Sequence, residues 1–238
     1  MKIFIDQKSV KRNTLIGKIL RWVSLGLMLI ALIAIFSEDI SSNPNLFTAY
    51  FLIMIVGVLL SSVSGYFTTR YGKSPRPDAL IDKSLKGLDD RFHLYHYRSS
   101  IPHLLAGPAG VWSILPTFVD GEIIYDENKG NWIHKRNSIL NKLLQKESFP
   151  NPMSEYNYHH KEFEKLISTT NNNKNGTEIK LLVLLFHKNA SISGISEKDN
   201  ILIISSEKIK DRFRKMAKTE KQTNEISSFL ETQLEIKS

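Results

Sequence analysis

Two uncharged apolar runs near the start of the chain limit its architecture more than any other feature. Residues 22–36, WVSLGLMLIALIAIF, carry no charge. Extended back through Ile19 and Leu20, the run is just long enough to cross a bilayer, with Arg21 snorkelling to the interface. Residues 47–67, FTAYFLIMIVGVLLSSVSGYF, are also uncharged throughout. At about 1.5 Å of helical rise per residue, this second run covers a hydrocarbon core of about 30 Å. Tyr50 and Tyr66 lie near its ends, where aromatic rings prefer the interface. A buried hairpin of a soluble domain is the competing reading. Only the short segment SEDISSNPNL joins the two runs, which favours a transmembrane hairpin with spans of about 18–36 and 47–67. The late start of the first run, with no small-x-small site before the polar loop, argues against a cleaved signal peptide.

Orientation follows from the flanking charges. Lys2, Lys8, Lys11, Arg12, Lys18 and Arg21 precede the first span against the single acid Asp6, and the connecting loop holds Glu38 and Asp39 with no base. Arg70, Lys73 and Arg76 follow the second span. The positive-inside rule then places both termini in the cytoplasm and the loop outside. The expected division is a cytoplasmic segment over 1–17, the hairpin over 18–67, a linker over 68–77 (TTRYGKSPRP) and a cytoplasmic domain over 78–238. Part of the net charge of +8 thus serves topology and contact with anionic headgroups, so that charge alone does not demand a nucleic-acid partner. The absence of cysteine excludes disulfides, thiolate zinc sites and a cysteine nucleophile.

Beyond residue 77 the pattern changes. DALIDKSLKGLDD places Leu80, Ile81, Leu85 and Leu88 at helical spacing, with Gly87 near its close. FHLYHY reads as a strand, and HLLAG and VWSIL flank the turn GPAG. EIIYD and NWIHK form a second hairpin signature across ENKGN. Short amphipathic helices are expected over 137–146 and 154–168, with a polar bridge NNNKNG after them. KLLVLLFH and NILIIS are continuous apolar runs suited to strands buried on both faces. SEKIKDRFRKMA reads as a helix capped by Ser206, and a last helix carries Ile226, Phe229, Leu230 and Leu234. The fold class is therefore α/β or α+β, with one mixed central sheet after the hairpin.

The segment 78–123 resembles the nuclease-related domain, NERD, of the restriction-endonuclease-like PD-(D/E)xK fold. His103, Gly107, Pro108, Gly110, Val111, Trp112 and Gly121 match its framework of a histidine, a glycine-proline-glycine turn and a downstream glycine. The likeness extends over about 78–217. It implies that Pro102 stands at the aspartate position, Leu115 at the glutamate and Thr117 at the lysine. In that fold the two carboxylates hold a hydrated Mg²⁺, and the lysine helps activate the attacking water. Proline and leucine offer a hard cation no side-chain oxygen, and threonine supplies no fixed charge. The resemblance thus implies a nuclease-like domain whose ion site is gone, with no metal and no cofactor.

Other residues are weighed beside it. Asp78 and Asp82 lie one turn apart on the opening helix, where a solvated N-terminus favoured by the dipole explains them. Asp120 and Glu122 flank Gly121 on a strand edge, where alternation puts them on the same side and a polar turn explains them equally well. His96 and His103 fall on adjacent predicted strands, where hydrogen bonding near the turn explains them better than a zinc pair lacking a third ligand. Three functions are carried forward. The first is a membrane-anchored interaction or scaffold module with an unidentified protein partner. The second is nucleic-acid binding without cleavage, through Arg91, Arg98, Lys135 and Arg136 with Trp132 for stacking. The third is a metal-dependent nuclease with acids relocated to Asp78, Asp120 and Glu122.

Overall fold

A computed structural model describes residues 1–37, 43–135, 149–168 and 178–219, together with 230, 232 and 234. The helix expected over 137–146, the NNNKNG bridge, Arg136, Ile226 and Phe229 lie outside the described residues. The chain divides into two units, residues 7–77 and a second made of residues 1–6 with the chain from Asp78 onward.

The first unit is a pair of antiparallel helices, α1 (Gln7–Ile35) and α2 (Pro44–Phe67). Asn43 caps α2: its side chain accepts from the backbone N–H of Asn45 at 3.1 Å and of Leu46 at 3.5 Å, and Pro44 opens the first turn. α1 starts eleven residues before the expected span boundary, because the polar residues ahead of Lys18 also form helix. What α1 buries is small: Val10, Gly17, Ser24 and Ala31, spaced seven residues apart, and Ala34. α2 answers with Gly57 and Ser64. A Cβ on Gly17 would stand 2.9 Å from Phe67 Cβ, and one on Gly57 would stand 2.9 Å from Met28 Cγ. The backbones therefore approach as closely as glycine permits, as in membrane helix pairs. The Ser64 hydroxyl donates to the Gly17 carbonyl at 2.9 Å. The large apolar side chains face outward instead: Trp22 is 73% exposed and Leu59 61%. Both helices are long and apolar enough to cross a membrane. The expected linker is partly helical, since α2 runs on through a π-helical turn at Thr68–Gly72.

The second unit is built on a seven-stranded mixed sheet in the order β1-β2-β3-β4-β7-β10-β9. Its strands are β1 (Lys2–Ile5), β2 (His93–His96), β3 (His103–Gly107), β4 (Gly110–Thr117), β7 (Ile179–Leu185), β9 (Glu197–Lys198) and β10 (Ile201–Ser205). β2, β3 and β4 form an antiparallel meander, after which β7 lies parallel to β4 and β10 parallel to β7. The edge strand β1 is absent from the sequence expectation. It pairs parallel to β2, from Lys2 opposite His93 to Ile5 opposite His96, and Phe4 stacks on Tyr95 at 5.1 Å. The stretch expected as a cytoplasmic segment over 1–17 thus begins as part of the sheet. A smaller sheet, β6-β5-β8, holds β5 (Gly121–Asp126), β6 (Asn131–Lys135) and β8 (Ala190–Ser193).

Strand alternation sorts the sheet residues into two faces. On one, Leu94, Leu105, Trp112, Ile114, Leu182 and Leu184 pack against Ile81 and Leu85 of α3 (Pro77–Leu85) and Phe213 of α5 (Ile209–Thr219). On the other, Leu104, Val111 and Ile179 meet Phe163 of α4 (Pro152–Ser168), while Leu181, Val183 and Ile203 meet Ile123 and Trp132 of the small sheet. β7 is buried on both faces, as its unbroken apolar run requires. Two glycines of the GPAG turn have distinct reasons. Gly110 sits at φ +93°, and a Cβ on Gly107 would stand 2.5 Å from the Phe92 ring. α5 begins at Ile209 after a turn over 206–208, three residues beyond the expected serine cap.

Candidate functional site

The positions that the resemblance singles out fall at the carboxyl end of the sheet. Leu115 and Thr117 lie on one face of β4, and Pro102 immediately precedes β3. Leu115 packs into the apolar cluster of Val183, Leu181 and Ile123. Thr117 is buried, and its hydroxyl has no hydrogen-bond partner among the described residues. The glutamate position is thus filled with hydrocarbon.

The proposed replacement acids do not form one constellation. Asp78 opens α3 on one face of the large sheet, while Glu122 lies on β5, across the opposite face. Glu122 accepts the Ser193 hydroxyl. Asp120 precedes β5 rather than belonging to it, because Gly121 at φ +93° turns the chain there. Alternation therefore does not relate Asp120 to Glu122. Asp120 is buried, and its carbonyl contacts the His134 ring. Among the described residues, no group of three His, Asp or Glu side chains is arranged to hold a metal ion.

The nucleic-acid surface expected from sequence is also dispersed. Arg91 is committed to Asp89, with Nη2 at 2.6 Å from one carboxylate oxygen and Nε at 3.2 Å from the other. That hydrogen bond holds the Asp89 carboxyl below the usual range and raises the guanidinium. Arg98 donates to the Leu234 carbonyl at 2.9 Å. Lys135 is exposed at the end of β6, but Trp132 is only 3% exposed and gives its indole N–H to Ile195, so no base can stack on it. His159 is buried while His160 approaches Glu164 at 3.8 Å, so these neighbours form no chelating pair.

One cluster does converge. His96 closes β2 and His103 opens β3, and antiparallel register sets them directly opposite each other. Their Nδ1 atoms stand 2.7 Å apart with the rings at 74°. His96 Nε2 lies 3.0 Å from the Asp82 carboxylate of α3. Asp82 is thus half-buried and bonded to the sheet rather than free at a solvated helix terminus, and Asp78 is buried, because α3 packs on the sheet. The Tyr97 ring meets His103 edge-on at 5.0 Å. Tyr97 itself adopts φ +59°, costly for an aromatic residue, and its N–H donates to the Pro102 carbonyl at 2.7 Å to close the loop. Both imidazoles are buried, and Asp82, whose side chain is 26% exposed, links them to water. A substrate cannot reach either ring, so the cluster is a hydrogen-bonded tie between helix and sheet. Hydrogen bonding near the turn was the sequence expectation for the two histidines. Its third member, Asp82, is identified only once α3 is docked on the sheet.

Comparison of the chain with protein-family models, with functionally described proteins and with solved structures found no match.

Proposed function

We propose that this chain is a membrane-anchored protein whose cytoplasmic domain is a NERD-like, restriction-endonuclease-like sheet without nuclease chemistry, serving as an interaction or scaffold module. The observation that carries this reading is Leu115: at the position where the resemblance requires a metal-binding carboxylate, an apolar side chain packs into a hydrocarbon cluster. An ionised group placed there would need a partner or a cation to offset its desolvation.

Anchoring rests on the exposed apolar flanks of α1 and α2, which in water would form an aggregation-prone patch far beyond that of soluble monomers. Because β1 pairs with β2, residues before and after the hairpin share one folded unit and hence one side of the bilayer. The basic flanks select the cytoplasmic side.

A second reading, nucleic-acid binding without cleavage, is favoured by α5 rather than by the residues expected from sequence. Lys215 and Lys218 are exposed along it and Lys208 in the turn before it, beside Arg212 and Arg214, which pair with Glu197 and Asp211. The chain in nanodiscs, incubated with DNA and RNA in Mg²⁺ or Mn²⁺, is expected to leave both uncut. Cleavage that disappears in Asp120→Asn would establish the relocated-acid nuclease instead. Binding whose affinity falls steeply with salt would select the second reading over a protein-partner module. Orientation is open to single-cysteine labelling, since the native chain has none. Ser41→Cys should react with an impermeant maleimide from outside intact cells and Lys86→Cys should not; the reverse would invert the topology.

A further inference from the structure

Two facing imidazole nitrogens 2.7 Å apart require one proton between them. The Asp82 carboxylate accepts from His96 Nε2–H, which fixes that proton and leaves His96 Nδ1 to serve the partner ring. Two forms satisfy the geometry. With both rings neutral, His103 Nδ1–H donates to His96 Nδ1. With one added proton, His96 becomes an imidazolium beside Asp82, and its Nδ1–H donates to His103 Nδ1. A second added proton puts N–H against N–H at this distance, inside a site from which water is excluded.

The cluster occupies a particular place in the chain. The carbonyl of His96 accepts the N–H of Asp6 at 3.1 Å, and Asp6 is the residue at which the chain leaves this unit. Asp82 lies one helical turn after Asp78, where the chain returns. The network thus ties together the end of β1, the first turns of α3 and the β2–β3 loop. The ionisable groups in contact with the ring pair are Asp82 of α3, bonded to His96, and Tyr97 of the loop, edge-on to His103; buried Asp78 lies one turn before Asp82, and Asp6 meets His96 through its backbone N–H. Arg98 is directed to the Leu234 carbonyl.

We propose that Asp82, His96 and His103 form a proton-operated latch at the root of the helical hairpin. It grips α3 while the two rings share a proton and releases it when both are fully protonated. This inference is independent of the nuclease likeness and of the partner.

Hydrogen exchange of the full chain in nanodiscs tests it, followed on peptides covering 77–85 and 93–104 from pH 8 to pH 5 and corrected for intrinsic exchange. Protection of the α3 amides should fall at least about tenfold in a single step as the pH is lowered across this range. His103→Gln should abolish the step, whereas His187→Gln, on an exposed loop, should leave it in place. A flat wild-type profile, or a step that survives in His103→Gln, would overturn the latch. Should His103→Gln fail to fold, ¹⁵N-histidine spectra of the wild type decide. A scalar coupling between the two Nδ1 atoms that vanishes together with α3 protection supports the latch, and two uncoupled imidazoles titrating separately refute it.

Discussion

The helical pair and the sheet unit bury opposite kinds of residue. Against α2, α1 hides glycine, serine and alanine and turns its tryptophan, leucines and isoleucines outward. The sheet unit hides Trp112, Phe92, Phe213 and a dense set of leucines and isoleucines. In water, apolar burial drives folding at roughly 25 cal/mol per Å², so a unit that must fold there places its largest side chains inside. Between helices in lipid that drive is absent, and close backbone approach with a few hydrogen bonds takes its place. The helical pair thus carries the burial pattern expected between helices in lipid, and the sheet unit the pattern of a domain that folds in water.

The largest test of this contrast is Trp112→Ala. Trp112 is nearly inaccessible, meets Phe213 edge-on at 5.5 Å and donates its indole N–H to Ala109 at 2.8 Å. Its removal should cost about 3–5 kcal/mol of unfolding free energy in a denaturant titration of the nanodisc-bound protein. Leu59→Ala on the outward face of α2 should change the same measurement by less than about 0.5 kcal/mol. Equal losses would erase the distinction. Next, Gly57→Leu should destabilise the helix pair by about 1–3 kcal/mol, read from resistance to detergent-induced separation of the helices. Gly26→Leu, where an added Cβ meets nothing within 4 Å, should not.

Ser64→Ala removes the hydrogen bond to Gly17 and should cost the pair only about 0.6 kcal/mol, typical of such bonds between membrane helices. The smallest effect concerns acid. Arg91 depresses the Asp89 carboxyl, so the stability it contributes is present above about pH 4, the unfolded carboxyl range, and is lost as pH falls through the lower folded value. Asp89 is exposed to solvent, so Asp89→Asn should shift the acid limb of unfolding only slightly. A large shift would mean that surface charge, not core packing, limits the sheet unit.

Most of the sheet was legible because its signals are local. The runs HLLAG, VWSIL, KLLVLLF and NILIIS become β3, β4, β7 and β10, and the GPAG turn falls where two glycines are sterically required. β1 escaped notice because KIFI is short and lies far in sequence from its partner. Pairing Lys2 with His93 is a tertiary event that local periodicity does not encode. β8 and β9 were missed for a related reason: both are short and lack an apolar run. For the site, strand adjacency already brought His96 and His103 together. Asp82 required knowing that α3 lies over β2, and the dipole argument that assigned it to solvent took no account of that docking.

The pairing of β1 also dictates an order of assembly. During synthesis, the opening strand emerges long before the strand beside which it ends. Both long helices are completed in between. The residues of β1 are therefore made before both long helices yet can find their place only after them, when β2 has followed.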